Sequence, residues 1–232
     1  MKKLLETLKR KWAEYLLEMI VITFGILGAF ILNNWNENRI ERTKERSFLN
    51  KISLNLTDDI SNYSFILEQQ MKYQNDIDSF LLIVRSPAMY SVNDLDKYRS
   101  QIWLFERFTP IKPAFENLKS SGELNIIQSQ IILDQLFEYY RNVESQTNGI
   151  DAAIASYTRD HLGPFLMKFD FMEPVDPQSI RRRKSLEDYY KEPQIENLLL
   201  ARSAMTRIQQ ESYDEQIKQA QQIIELIRTE LK

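Results

Sequence analysis

The chain has 232 residues, of which 43% are hydrophobic, so it is long and apolar enough to fold around its own core. It contains no cysteine, which excludes disulfides, thiolate metal sites and cysteine nucleophiles. Residues 1–14 carry five basic and two acidic side chains, or +3, so the net charge of −3 leaves −6 on the remainder. That acidic remainder lacks the basic footprint of a nucleic-acid-binding domain, and we expect no nucleic-acid partner.

An apolar run extends from Leu16 to Leu32 and contains one charged residue, Glu18. As a helix rising about 1.5 Å per residue it spans roughly 26 Å, enough to cross a hydrocarbon core of about 30 Å with help from its flanks. Trp12 and Tyr15 precede the run and Trp35 follows it, which suits the two membrane interfaces. The predicted organisation is a cytoplasmic amphipathic tail over residues 1–14, a transmembrane helix over 15–36 and a periplasmic α-helical domain over 37–232.

An apolar run near the N-terminus can also belong to a cleaved signal peptide or to a buried core helix. A signal peptide has an apolar region of about 7–15 residues and a small-x-small cleavage site. This run is longer and ends in Asn33-Asn34-Trp35-Asn36-Glu37. A half-exposed core helix needs a polar stripe, which the run lacks. An uncleaved signal anchor therefore explains the sequence best.

Basic residues favour one orientation of this anchor. Five precede the run, and four follow it closely, interleaved with three glutamates. By the positive-inside rule this bias places the N-terminus in the cytoplasm, and a long C-terminal domain translocates largely regardless of its charge. The expected location is the bacterial inner membrane, with the main domain in the periplasm and the lipid bilayer as one partner.

Small residues inside the span form a candidate association face, made by Gly25, Gly28 and Ala29. A small-xxx-small pair lets two helix backbones approach closely, although glycine is also more common in transmembrane helices generally. Glu18 is either a functional carboxylate at membrane depth or a residue that reaches the headgroups, and its place near the cytoplasmic end favours the second. The predicted membrane-interface residues are Trp12, Tyr15, Glu18 and Trp35.

The rest of the chain is predicted to be helical. Only three glycines lie outside the anchor and helix-forming residues dominate, which argues against a hairpin-rich structure. One long helix, either continuous or interrupted, can extend from the anchor to about Arg85, because no further Gly or Pro occurs before Pro87 and an apolar stripe follows helical steps of 3 and 4. A helix of that length is expected to bend back or to pack against partners. That stripe consists of Leu49, Ile52, Leu56, Ile60, Tyr63 and Leu67.

Two shorter helices are expected next. One starts at Ser91 and runs to Phe108. The other runs from Ala114 to Ser121, with Pro113 in its first turn and Gly122 as its C-terminal cap.

Two longer helices are expected after Gly122. The first runs from Leu124 to Tyr140. Asn148-Gly149 is a candidate turn, after which helix is expected to resume from Ile150 to Leu162, and Gly163-Pro164 breaks or kinks it. The last runs from Gln194 to Leu231. Its end carries a short heptad seam, which fits a coiled coil or an antiparallel bundle equally well and consists of Ile217, Ala220, Ile224, Ile227 and Leu231.

Candidate catalytic residues are few, and no catalytic, cofactor or metal site is predicted. His161 is the only histidine, and its neighbour Asp160 cannot face it on a helix. The carboxylates of Asp58-Asp59 and of Asp76 and Asp78 lie on helical patterns and are interpreted as solvated faces. The basic run is either a solvated loop or a site for an anion or an acidic partner, and consists of Arg181, Arg182, Arg183 and Lys184. A set of aromatic residues is predicted to pack in the core, and a ligand pocket among them is the alternative. These residues are Trp103, Phe105, Phe108, Phe115, Phe137, Tyr139 and Tyr140.

Two segments carry a family resemblance. They are Gly25-Ile-Leu-Gly-Ala-Phe-Ile-Leu-Asn-Asn-Trp-Asn-Glu37 and Phe115-Glu-Asn-Leu-Lys-Ser-Ser-Gly-Glu-Leu124. Together they resemble a family of uncharacterised Bacteroidota single-pass membrane proteins, a domain of unknown function whose N-terminal membrane helix ends in an Asn-Asn-Trp-Asn-Glu-like motif. The resemblance implies a single-pass protein with a helical extracytoplasmic domain, and it implies no activity.

These observations lead to two hypotheses on function. The first is a non-enzymatic single-pass inner-membrane protein that acts as a structural, assembly or interaction component, with a protein partner or a second copy of itself. The alternative is a membrane-anchored helical module that senses a ligand and relays the signal through a partner protein, because its cytoplasmic tail is too short for an output domain.

Overall fold

The computed structural model describes residues 2–99, 102–167, 188 and 190–232. Every regular element in this part of the chain is a helix, which confirms the all-α prediction. In chain order the elements are α1 (Lys2–Arg85), α2 (Val92–Arg99), α3 (Pro113–Ser120), a 3₁₀ turn (Glu123–Ile126), α4 (Gln130–Asn142), a π turn (Val143–Thr147), α5 (Asn148–Tyr157), a second π turn (Thr158–Leu162), α6 (Gly163–Met167) and α7 (Pro193–Glu230).

Helix α1 is continuous over 84 residues, a length of about 125 Å at 1.5 Å per residue. It ends at Arg85, as the sequence predicts. From Glu45 to Val84 a set of buried residues recurs in unbroken steps of 3 and 4, the heptad pattern of helices that supercoil around a partner. These residues are Glu45, Leu49, Ile52, Leu56, Asp59, Tyr63, Ile66, Gln70, Tyr73, Ile77, Phe80 and Val84.

Helix α7 is the antiparallel partner of α1. Arg42 pairs with Glu230 at one end of the helix pair, and Arg85 pairs with Glu196 at the other. The last predicted helix is confirmed, but its seam is longer than the two predicted repeats and shifted, so that the predicted seam residue Ile217 is only half-buried. The seam of α7 comprises Ile195, Leu199, Arg202, Thr206, Gln209, Tyr213, Gln216, Ala220, Ile223 and Ile227.

A third helical layer, residues 130–167, packs against α7. It starts later than the predicted Leu124, because the chain from Ile127 to Ser129 is extended where the Gln128 N–H donates to Glu45. It then continues without a break, so Asn148-Gly149 is helix interior and not a turn, and Gly163-Pro164 does not end the helix. The second π turn widens the helix just ahead of Pro164, where the proline ring would otherwise clash with the carbonyl four residues earlier.

The helix predicted from Ser91 to Phe108 is wrong over its second half. Helix α2 ends at Arg99, and residues 104–112, which we call the strap, contain no helix. Helices α1, α4, α5 and α7 all contribute side chains that bond the strap's main chain, at Leu104, Glu106, Phe108 and Ile111. Because these bonds satisfy backbone groups that a helix would otherwise pair internally, the strap can run without helical structure against the bundle, with the Phe108 side chain buried.

The short helix predicted from Ala114 to Ser121 is present as α3, directly after the strap. Pro113 is its first residue, and Gly122 just beyond it has a φ of 73°. This left-handed conformation is the one that the predicted glycine cap requires.

The buried apolar residues form two separate clusters. The larger surrounds Leu56, Phe115 and Ile223, and the smaller surrounds Phe80, Leu95 and Leu199. Between them lies a band of polar side chains on the facing surfaces of α1 and α7, which we call the polar layer, comprising Gln70, Gln74, Arg202, Ser203, Thr206 and Gln209.

Candidate functional site

The apolar N-terminal half of α1 stands clear of the rest of the described structure. Large apolar side chains from Trp12 to Trp35 are exposed, for example Phe24 at 71% and Ile31 at 65%. By length and composition this is one helix that could cross a membrane. The segment is therefore not a core helix of the described domain, which begins only at Glu45.

The predicted interface residues lie at both ends of this exposed segment. Trp12, Tyr15 and Glu18 are exposed at one end, and Trp35 is exposed at the other. The guanidinium of Arg39 lies 5.9 Å from the centre of the Trp35 ring. The helix surface therefore changes from apolar to charged within about one turn of Trp35.

The small residues Gly25 and Ala29 are exposed, and Gly28 is half-buried. A Cβ added at either glycine would meet nothing within 4 Å. At about 100° of rotation per residue, Gly25 and Ala29 lie roughly opposite Leu49 and Ile52, which face the core. The small-residue face thus points away from the protein's own domain.

The structure does not assemble the other candidate residues into a site. Arg181, Arg182, Arg183 and Lys184 lie outside the described residues. His161 is exposed beside the Tyr157 ring, and its neighbour Asp160 accepts hydrogen bonds from Arg159. Among the described residues no three His, Asp or Glu side chains are grouped so as to hold a metal ion.

The interpretation of Asp58-Asp59 as a solvated face is wrong for Asp59. Asp58 is exposed, but Asp59 is fully buried, because it occupies a seam position of α1. Its carboxylate accepts a hydrogen bond from the Ile111 N–H at 2.8 Å and one from the Tyr139 hydroxyl at 2.8 Å. Burial raises the pKa of Asp59 to about 6, and these two hydrogen bonds oppose the shift. Of the second pair, Asp78 is exposed and Asp76 is half-buried.

A second buried carboxylate, Asp151, holds the middle of the strap. It accepts hydrogen bonds from the Phe108 N–H at 3.1 Å, from Gln209 at 2.6 Å and from the Tyr213 hydroxyl at 2.9 Å. The Phe108 ring stacks on Tyr63 with 3.5 Å between ring centres. Burial raises the pKa of Asp151, although its hydrogen-bond donors stabilise the charged form.

Arg202 is the largest fully buried side chain of the described structure. One guanidinium nitrogen donates to the Leu104 carbonyl at 3.0 Å and another donates to Thr206, while the buried Nε has no hydrogen-bond partner. No carboxylate lies within salt-bridge distance of it in the described part of the chain. Burial therefore lowers the pKa of Arg202 to about 10.

These buried polar groups share one role, which is to bond main-chain atoms of the strap. Gln209 donates to the Glu106 carbonyl at 3.2 Å, and the Tyr140 hydroxyl donates to the Ile111 carbonyl at 3.4 Å. Sequence reasoning missed them because it looked for apolar periodicity. The signal that reveals them is the polar residue at a 3–4 seam position, since most buried polar groups are hydrogen-bonded.

The aromatic residues are divided between core and surface. Phe108, Phe115, Tyr139 and Tyr140 are buried as predicted, whereas Trp103 and Phe137 are about 40% exposed and Phe105 is half-buried. Trp103 and Phe105 line a cleft of about 580 Å³ between the start of the strap and the second π turn.

Comparison with known proteins supplies no further guide to the site. No family model, curated protein or solved structure matches the chain.

Proposed function

We propose that this protein is a non-enzymatic, single-pass inner-membrane protein that acts as a structural, assembly or interaction component. Residues 1–14 are cytoplasmic, residues 15–36 cross the membrane and residues 37–232 form the periplasmic domain. The observation that supports this most directly is the continuity of α1, whose exposed apolar half leads without a break into the seam of the domain. The resemblance to single-pass Bacteroidota membrane proteins agrees with this placement.

A continuous helix couples the domain rigidly to the membrane. Residues 33–44 are helical and exposed, and they span about 18 Å between the apolar segment and the first buried residue, Glu45. No flexible linker separates the two parts, so a tilt or rotation of the membrane helix moves the domain with it. A component that positions partners at a fixed distance from a membrane needs this stiffness.

The membrane helix also offers a surface for a partner. Gly25 and Ala29 face away from the domain, so a second helix can approach them within the bilayer without a clash with the domain of the same chain. A second copy of this chain is the simplest partner, because it brings the same small-residue face.

The test compares two single substitutions in the membrane helix. Gly25→Leu adds bulk on the small-residue face, and Thr23→Leu adds bulk roughly 160° away from it. In mild detergent, light scattering coupled to gel filtration should show an oligomer for the wild type and for Thr23→Leu, and a smaller species for Gly25→Leu. Identical behaviour of all three proteins would exclude the small-residue face. A wild-type monomer that also forms no crosslink in native membranes would contradict the assembly role.

Ligand sensing through a partner protein is the second candidate function. The observation that favours it is the cleft beside Phe105, whose wall is the strap that both α1 and α7 hold in place. Occupation of the cleft would be transmitted to α1 through these bonds. Thermal shifts across a panel of metabolites and cell-wall fragments would test this function, and no shift with any of them would exclude it.

A further inference from the structure

The cleft of about 580 Å³ has two walls of different construction. One wall is the chain from Trp103 to Arg107, and the other is the helical surface around Thr158, Arg159 and Pro164. The volume lies within the range of about 300–1,000 Å³ that is typical of small-molecule sites. Leu104, Phe105 and Pro164 make most of its surface apolar.

The strap wall is held rigidly from behind. The Leu104 carbonyl accepts from Arg202, the Glu106 carbonyl accepts from Gln209, and the Phe108 N–H donates to Asp151. All three side chains are buried. A wall that is fixed before a ligand arrives lowers the entropic cost of binding.

Thr158 lies in the opposite wall, and its unpartnered hydroxyl is buried beneath the surface of that wall. Its side chain is 6% exposed, and its Oγ1 has no hydrogen-bond partner in the described structure. Helical threonines elsewhere donate to the carbonyl four residues earlier, as Thr43, Thr57 and Thr229 do. Thr158 begins the second π turn instead, and its hydroxyl stays unpaired beneath the apolar floor of the cleft, so the proposed site does not depend on it.

The charges that line the cleft have one sign. Arg107 and Arg159 line it, and none of its lining residues is a carboxylate, although the chain as a whole is acidic. Arg159 makes a bidentate pair with the exposed carboxylate of Asp160, so a ligand carboxylate competes with Asp160 for this guanidinium. Arg107 has no carboxylate within salt-bridge distance among the described residues, and its guanidinium lies 5.4 Å from the Phe105 ring centre.

From these observations we infer that the cleft binds an organic carboxylate with an apolar body. The apolar body lies against Leu104, Phe105 and Pro164, and the carboxylate is held by Arg107 and Arg159. The inference deepens the ligand-sensing candidate, and its test measures occupation of the cleft and not membrane placement, so either can fail without the other.

Trp103 supplies a fluorescent reporter for the test. The chain has three tryptophans, so a Trp12→Phe/Trp35→Phe variant of the full chain keeps only the one that lines the cleft. The probes are 2-naphthoate and decanoate, which separate an aromatic acid from a lipid-derived acid, and 2-naphthamide as the uncharged control. Titrations are run in mild detergent and corrected with protein-free micelles.

We expect at least one of the two carboxylates to bind saturably. If 2-naphthoate binds, 2-naphthamide should bind about tenfold or more weakly than 2-naphthoate. Arg107→Gln and Arg159→Gln should each weaken carboxylate binding by about fivefold to tenfold. Arg141→Gln, an exposed arginine outside the cleft, is the matched control and should change nothing.

Three results would overturn the inference. The first is that neither carboxylate saturates the Trp103 signal. The second is that 2-naphthamide binds as tightly as 2-naphthoate. The third is that the Arg107→Gln and Arg159→Gln variants bind carboxylate as tightly as the Arg141→Gln control does. Both arginines are exposed, so circular dichroism should show that their variants keep the wild-type fold.

Discussion

Replacing Asp59 with asparagine should remove a pH dependence of stability that the buried carboxylate imposes on the domain. The pKa of Asp59 rises from 3.8 to about 6 in the folded protein, mainly because burial penalises the charged form. A shift of about 2 pH units corresponds to about 3 kcal/mol. Because the folded state binds the proton more tightly, this stability is present below about pH 4 and is lost as the pH rises through 6.

Asparagine keeps the hydrogen bonds and removes the charge. Its amide oxygen can still accept from the Ile111 N–H, and its amide nitrogen can donate to the Tyr139 hydroxyl oxygen. Relative to the wild type, Asp59→Asn should therefore gain about 2–3 kcal/mol more at about pH 8 than at about pH 4. Asp151 titrates in the same direction, but it is present in both proteins and cancels in the difference.

Urea unfolding followed by circular dichroism measures this difference for the full chain in a nonionic detergent. Asp58→Asn is the matched control, because Asp58 is the exposed neighbour on the same helix. Its free energy of unfolding should follow that of the wild type with pH. Parallel pH profiles for Asp59→Asn and the wild type would refute the reasoning, since they would mean that Asp59 is solvated or has an unshifted pKa.

Three further predictions concern packing, backbone and buried hydrogen bonds, each measured by urea unfolding. Leu56→Ala should cost about 2–5 kcal/mol because Leu56 is fully buried, whereas Leu54→Ala, at an exposed position two residues away, should cost about 0.5 kcal/mol or less; equal losses would contradict the seam. Gly122→Ala should cost about 1 kcal/mol because an L-residue is strained at a φ of 73°, and no loss would mean that the left-handed cap is absent. Tyr213→Phe should cost about 1–3 kcal/mol because it removes a donor from buried Asp151, and a neutral result would show that Asp151 is otherwise satisfied.

The helices were predictable where apolar periodicity was strong. The end of α1 at Arg85 and the extent of α7 follow from local patterns, and so does the Gly122 cap. The full seams of α1 and α7 were not found, because polar residues such as Asp59 and Gln209 interrupt the apolar stripe. A strict 3–4 count that ignores residue type would have placed both residues in the seam.

The strap could not be predicted from local sequence. Apolar residues from Ile102 to Phe108 favour helix, yet the main chain there is bonded by Arg202, Gln209 and Asp151, which are distant in sequence. The cleft depends on the same long-range contacts, because its two walls are the strap and the second π turn. Only the tertiary structure brings Trp103 and Arg159 to one site.

The central claim is that α1 crosses a membrane and places the two ends of the chain on opposite sides. The chain has no cysteine, so a single introduced cysteine reports its own location without interference. Thr7→Cys lies in the proposed cytoplasmic tail, and Ser47→Cys lies at an exposed position of α1 beyond the apolar segment. In intact spheroplasts a membrane-impermeant maleimide should label the Ser47→Cys protein at once and the Thr7→Cys protein only after permeabilisation. Labelling of both variants before permeabilisation, labelling of neither, or the reverse order would contradict the proposed topology.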